Sequence, residues 1–117
     1  MDLRDLVDAL LARDPLRARQ WVADATREAV VWADVPRPIG GSALELAVAA
    51  GVVELFASRS HQTPPPWTAA IGRAPDPVYL VRAAETMPRL RRSCETEGPE
   101  PLRIRQIYAP PEFMTAA

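Results

Sequence analysis

The spacing of apolar and polar positions divides the chain into helices of very unequal amphipathicity. Leu3, Leu6, Val7, Leu10 and Leu11 recur at i, i+3, i+4, i+7 and i+8 with Asp and Arg between them, which is the period of a helix with one buried face. Asp2 stands near its start. Asp14-Pro15 then reads as an N-cap followed by proline in the first turn, where the absent N–H has no helical partner to lose. A stripe at Ala18, Val22, Ala25, Ala29 and Trp32 carries a second helix to about Trp32, with Trp21 beside it. The stretch Ser42–Ala57, SALELAVAAGVVELFA, is different. After Ser42 its only polar side chains are Glu45 and Glu54.

A helix that is apolar on nearly every face is enclosed on most sides, by a protein core or by a bilayer. This run falls short of the ~20 residues that span a bilayer and carries two carboxylates, so it predicts the central helix of a small helical domain. Ser42 and Glu45 have the spacing of a capping box, and VPRPIGG ahead of them forms a turn. Gly51 costs roughly 1 kcal/mol against Ala in a helix interior, which points to close approach of a neighbouring helix. Leu46, Val53 and Phe56 are expected to be almost fully buried.

The second half is less regular. From Ser58 to Pro77 the pattern is that of a long connection, with three prolines at Pro64–Pro66 and Trp67 directly after them. An aromatic held by prolines is expected to pin the connection onto the core. Asp76-Pro77 repeats the cap-plus-proline pattern of a helix start. Ala83, Met87, Leu90 and Cys94 keep helical spacing, Pro88 is expected to break or kink the segment after Met87, and Gly98-Pro99 stop it. A short helical turn over Pro101–Arg105 should lead into an extended stretch at Ile107 and Tyr108. Ile104, Ile107, Tyr108 and Phe113 are too apolar for a free tail, so this end is expected to dock. The expected fold is mainly α: one domain over residues 1–117, four to five helices around a central apolar helix, with a proline-rich connection.

Composition narrows the function classes. A chain of 117 residues, 48% hydrophobic and 25% charged, supports one core without staples. A net charge of −1 argues against a global field for nucleic acid, although local patches are compatible with it. All 14 basic residues are Arg, most simply a consequence of GC-rich codons. Cys94 is the only cysteine, so no internal disulfide forms, and MDLRDLVDALL lacks the basic start of a signal peptide. The expectation is a cytoplasmic protein without a membrane span.

Candidate chemistry is sparse. His61 could serve as a general base, but no nucleophile is placed beside it in sequence, and a residue at a helix C-terminus is the plainer reading. Cys94 shares the apolar face of Leu90 and Met87, which makes it structural although Arg91 and Arg92 are near in sequence. One Cys and one His do not make a familiar zinc site, and no cofactor is expected. Gly40-Gly41-Ser42 could cradle an anion, but it lacks the lysine and glycine spacing of phosphate loops, and a turn plus a cap accounts for it. Arg89, Arg91, Arg92, Arg103 and Arg105 form the main charge feature, with Glu95, Glu97 and Glu100 interleaved. They read as a solvated face, as a site for an acidic patch on a partner protein, or as a phosphate-binding patch, in that order.

The buried Ala/Leu helix, the proline-anchored tryptophan TPPPWT and the closing segment PLRIRQIYAPPEF together resemble a group of poorly characterised bacterial proteins. In those, a domain of this kind follows a helix-turn-helix, and many are regarded as antitoxin-like, some beside nucleotidyltransferase-like toxin genes. The resemblance covers roughly Pro15 to Phe113 through short motifs, and the chain has no room for a helix-turn-helix ahead of it. DNA recognition is therefore not carried over. The resemblance implies a protein-binding module, with Trp67, Arg103 and Tyr108 at the matching positions. The expected function is non-enzymatic binding of a protein partner, as an antitoxin or accessory subunit whose partner is a toxin or enzyme encoded nearby. Trp67, Arg89, Arg92, Arg103, Arg105 and Tyr108 are its expected contacts. A nucleic-acid-binding regulator using the arginine patch, and a small enzyme using His61, are the alternatives.

Overall fold

Three helix starts follow the cap chemistry of the sequence. In the computed structural model, which describes residues 2–115, α1 (Leu3–Leu11) begins where the Asp2 carboxylate accepts from the Arg4 amide at 2.9 Å. Helix α2 (Pro15–Arg27) begins where Asp14 accepts from the Arg17 amide at 3.1 Å, with Pro15 in its first turn. Helix α3 (Ala43–Arg59) opens on a complete capping box: Ser42 Oγ accepts from the Glu45 amide, and Glu45 Oε1 accepts from the Ser42 amide. These bonds satisfy amides that the first helical turn leaves without partners.

Helix α3 is the centre of a mainly helical domain. Its residues from Ala47 to Val53, and again from Leu55 to Ala57, are buried. Around it pack the α1–α2 pair, the short helix α5 (Glu100–Arg103) and the 3-10 turns Trp32–Asp34 and Pro66–Ala70. Gly51 is where α5 crosses. A β-carbon there would lie 2.6 Å from Leu102 Cδ2 and 3.3 Å from the Pro101 carbonyl oxygen. Val53 and Phe56 are buried as expected, whereas Leu46 on the first turns of α3 is only partly covered. No helix among the described residues is long and apolar enough to cross a membrane.

Helix ends depart from expectation. Helix α2 stops at Arg27, and Trp32 lies in the following 3-10 turn. Ala29 takes a left-handed conformation, φ 52°, with its amide bonded to Thr26 O and the Val30 amide to Ala25 O. This is a Schellman motif without glycine. Helices α1 and α3 end the same way, with Arg13 (φ 55°) and His61 (φ 55°) in the left-handed position and the Asp14 and Gln62 amides reaching back to Ala9 and Ala57.

The region after α3 is also rearranged. Asp76-Pro77 does not start a helix. Val78–Tyr79 forms β1, which pairs in parallel with β2 (Ile107–Tyr108), with the Val78 and Leu80 amides donating to Gln106 and Tyr108 carbonyls, both at 2.9 Å. Pro88 does not break a helix but opens α4 (Pro88–Glu97), leaving Met87 outside it and 53% exposed. Proline in the first turn has no helical N–H to lose and already has the helical φ. Ile104 is exposed, while Leu102, Ile107 and Phe113 are buried and dock the C-terminal segment.

Two substitutions test these backbone assignments. Ala29→Gly removes a left-handed strain of about 1–2 kcal/mol per non-glycine residue against a glycine entropy cost of about 0.5–1 kcal/mol, so denaturant unfolding should show a gain. Gly51→Ala should be destabilising despite the better helix propensity of Ala. Its methyl meets the fully buried Leu102, and such overpacking costs about 1–3 kcal/mol.

Candidate functional site

The left-handed turn at Ala29 redirects the chain so that Val30 and Trp32 fall against α3. Gln62, just past the end of α3, holds this segment: its Oε1 accepts from the Trp32 amide at 2.8 Å and its Nε2 donates to Val30 O at 3.4 Å. Trp32 is thereby stacked between Phe56, 5.5 Å away between ring centroids, and Trp21, 6.3 Å away. Trp21 is fixed in turn by its indole N–H, which donates to the Asp2 carbonyl at 2.9 Å.

On either side of this aromatic row the surface is concave. One groove, about 810 Å³, has Val22, Val30, Trp32, Phe56 and Met114 as an apolar floor and Arg19, Arg27 and Arg59 around it. Arg59 is half-buried and donates to the Phe113 carbonyl, and burial holds its pKa below the usual arginine value. The other groove, about 800 Å³, is lined by Trp21, Val31, Val35, Pro36, Pro38 and Ile39, with charges of both signs from Asp2, Arg4, Glu28, Asp34 and Arg37. Both volumes lie in the range of sites that take a ligand or an inserted side chain.

The residues singled out from sequence do not converge on one surface. Trp67 is half-buried, and its indole N–H donates to Val35 O at 2.8 Å, tying the proline-rich connection to the loop before α3. Tyr108 stacks on Tyr79 at 5.3 Å between centroids, and Arg91 lies 4.7 Å over the Tyr79 ring and 3.8 Å from Glu95. Burial raises the Tyr79 pKa, helped by the hydrogen bond its hydroxyl donates to Glu95. Arg103 Nη1 donates to the Thr96 carbonyl at 2.7 Å, closing the end of α4. Arg89, Arg91 and Arg92 are all exposed on α4, and of the three only Arg91 pairs with a carboxylate among the described residues.

Arg105 corrects the sequence reading most sharply. It was expected on the surface, and it is 4% exposed. Its guanidinium makes a two-pronged pair with Glu54 at 2.7 and 3.1 Å, and it also donates to the carbonyls of Pro101, Thr68 and Ile71. The arginine fork suits this because it offers several coplanar donors at once. Arg105 is an internal tie and offers nothing to a partner.

His61 is exposed at the left-handed end of α3 and lines neither groove. Cys94 is buried, which raises its thiol pKa, with Glu112 and Glu95 acting in the same direction. The described residues contain no cluster of three His, Cys, Asp or Glu side chains able to hold a metal ion. The groove beside Trp32 had no place in the sequence reading, since its walls come from residues 19 to 115. Its one local signal was the face of α2 bearing Leu16, Arg19, Ala23, Thr26 and Arg27, which carries no carboxylate.

Comparison with known proteins adds no relative: no family model matches the chain, and no curated protein or solved structure matches it.

The placement of Arg105 fixes one outcome. Arg105→Glu sets two carboxylates together in the interior and removes a donor from three carbonyls, and breaking a buried pair costs about 3–5 kcal/mol. Arg92→Glu on the exposed face of α4 should stay within about 0.5 kcal/mol of the parent. Denaturant unfolding of the two proteins side by side measures the difference.

Proposed function

We propose that this domain is a protein-binding module, acting as an antitoxin or accessory subunit of a two-gene system does, through the groove between α2 and the end of α3. The observation that carries this reading is an apolar, aromatic-floored groove whose floor belongs to the core. Such a floor is already ordered, so an inserted side chain buries apolar area with little ordering of the domain itself. Masking a partner in this way requires shape and a few anchors, and no catalytic group.

The dispersal of the arginines weighs against the nucleic-acid reading. Of the five cations grouped by sequence, Arg91 is engaged with Tyr79 and Glu95, Arg103 with α4 and Arg105 with Glu54. Arg89 and Arg92 remain, and two phosphate contacts support a salt slope of only about −2 on logarithmic axes.

The test is co-expression with the product of each neighbouring gene, followed by capture on the tagged domain. Ala23→Arg places a long side chain in the groove from an exposed helical position and should abolish recovery of the partner. Arg92→Glu should leave recovery intact. Equal recovery by both variants refutes the groove, and loss with Arg92→Glu alone transfers the docking surface to α4.

A further inference from the structure

The rim of the groove beside Trp32 is of one sign. Arg19, Arg27 and Arg59 line it, and no Asp or Glu does among the described residues. The chain as a whole has 14 basic and 15 acidic residues, so this is a local segregation of charge and does not follow from composition. Arg27 is shared with Asp24 on the far side of α2. Neither Arg19 nor Arg59 has a carboxylate within ion-pair distance among the described residues.

Arg59 is an independent pointer. It is half-buried, its hydrogen bond goes to the neutral Phe113 carbonyl, and burial already disfavours its charge. A carboxylate brought into the groove would replace the lost hydration and pair with it. The apolar part continues beyond the floor. Leu16, 79% exposed, and Ala23 lie one above the other on α2, with Arg19 and Arg27 to either side.

We propose that this groove takes an acidic amphipathic segment of a partner protein, with aliphatic or aromatic side chains seated on Val22, Trp32 and Phe56 and flanking Asp or Glu paired with Arg19 and Arg59. The proposal rests on the docking reading above and supplies the chemistry of the partner. A second copy of this chain is disfavoured, because its most exposed large apolar side chain, Ile39, follows Arg37 closely and so presents the wrong sign. A lipid surface does not fit either, because a flat anionic sheet meets the rim arginines without reaching a concave floor.

The experiment is selection from an unbiased displayed peptide library, run in parallel on the parent and on Arg19→Glu/Arg27→Glu, both positions being exposed and both proteins first shown to melt alike. The parent should enrich peptides that combine Asp or Glu with large apolar residues, and the double reversal should enrich basic ones. The best acidic peptide should perturb the amide resonances of Val22, Trp32 and Met114. Its dissociation constant should rise at least about tenfold in the reversal variant, as expected for charge pairs that an interface desolvates.

Enrichment without charge preference, the same peptides on both proteins, no enrichment, or perturbation confined to α4 overturns the proposal. So does binding of phosphatidylserine vesicles in place of peptides, or a parent that dimerises through this face. Failure of the two readings is separable. If Ala23→Arg loses the co-expressed partner while acidic peptides are not favoured, docking stands and its acidic chemistry falls. If acidic peptides occupy the groove while Ala23→Arg still recovers the partner, the chemistry stands and the docking assignment falls.

Discussion

The Arg105–Glu54 pair is the constraint on which the second half of the molecule depends. Helix α3 is enclosed on most sides, yet it carries a carboxylate in its buried stretch, and an uncompensated buried charge is among the most destabilising groups a core can hold. The chain compensates it with one side chain that also donates to the carbonyls of Thr68, Ile71 and Pro101. Those carbonyls lie in or beside irregular backbone, and of the three only that of Thr68 also accepts a backbone donor, the Ile71 amide at 3.1 Å. A single guanidinium therefore fixes the Pro66–Ala70 turn and α5 against α3. The position of that turn sets Trp67, and Trp67 in turn holds Val35 and the loop leading to the capping box. An apolar pair of similar volume would match the burial without specifying this register, since it gives up the donors that reach the Pro101, Thr68 and Ile71 carbonyls.

Much of the fold was legible because its signals are local. Asp2, Asp14 and Ser42 announce helix starts through side-chain chemistry that acts within three residues, and Gly51 announces a close crossing by what it lacks. The helix ends were illegible for an equally local reason. All three Schellman turns place Arg, Ala or His where glycine would have been the signal, so the stripe of α2 seemed to run on to Trp32. Pro88 illustrates a different ambiguity. Proline after a helical pattern and proline opening a helix look alike here, because a 3-10 turn at Arg82–Glu85 precedes Pro88 and between the two only Met87 is extended.

The site was less legible than the fold, and the arginines show why. Arg103 and Arg105 are two residues apart with the same flanking chemistry, yet one closes a helix at the surface and the other is buried. The difference is set by Glu54, about fifty positions earlier and on another helix. Sequence neighbours report which charges are available, whereas burial and pairing decide which remain for a partner. Arg89 and Arg92, exposed and outside every ion pair among the described residues, are what the sequence patch retains. The groove beside Trp32 draws Arg19 and Arg27 from α2 and Arg59 from the end of α3, none of them in the patch that the sequence groups together.

Floor and rim of that groove are held by different physics, and this bears on how binding would divide between them. Trp32 and Phe56 are each 6% exposed, locked by stacking and by the Gln62 bridge, so the floor has few conformations to lose. Arg19 and Arg27 are long, solvated side chains that lose rotamer freedom when they pair. A partner engaging only the rim would meet screened charges worth little, and one engaging only the floor would have attraction without orientation. The two become cooperative when apolar insertion excludes water from the rim, because each charge pair then acts in a lower dielectric. Specificity in such a groove arises from carboxylates set at the correct distance from an anchoring side chain, more than from the number of contacts made.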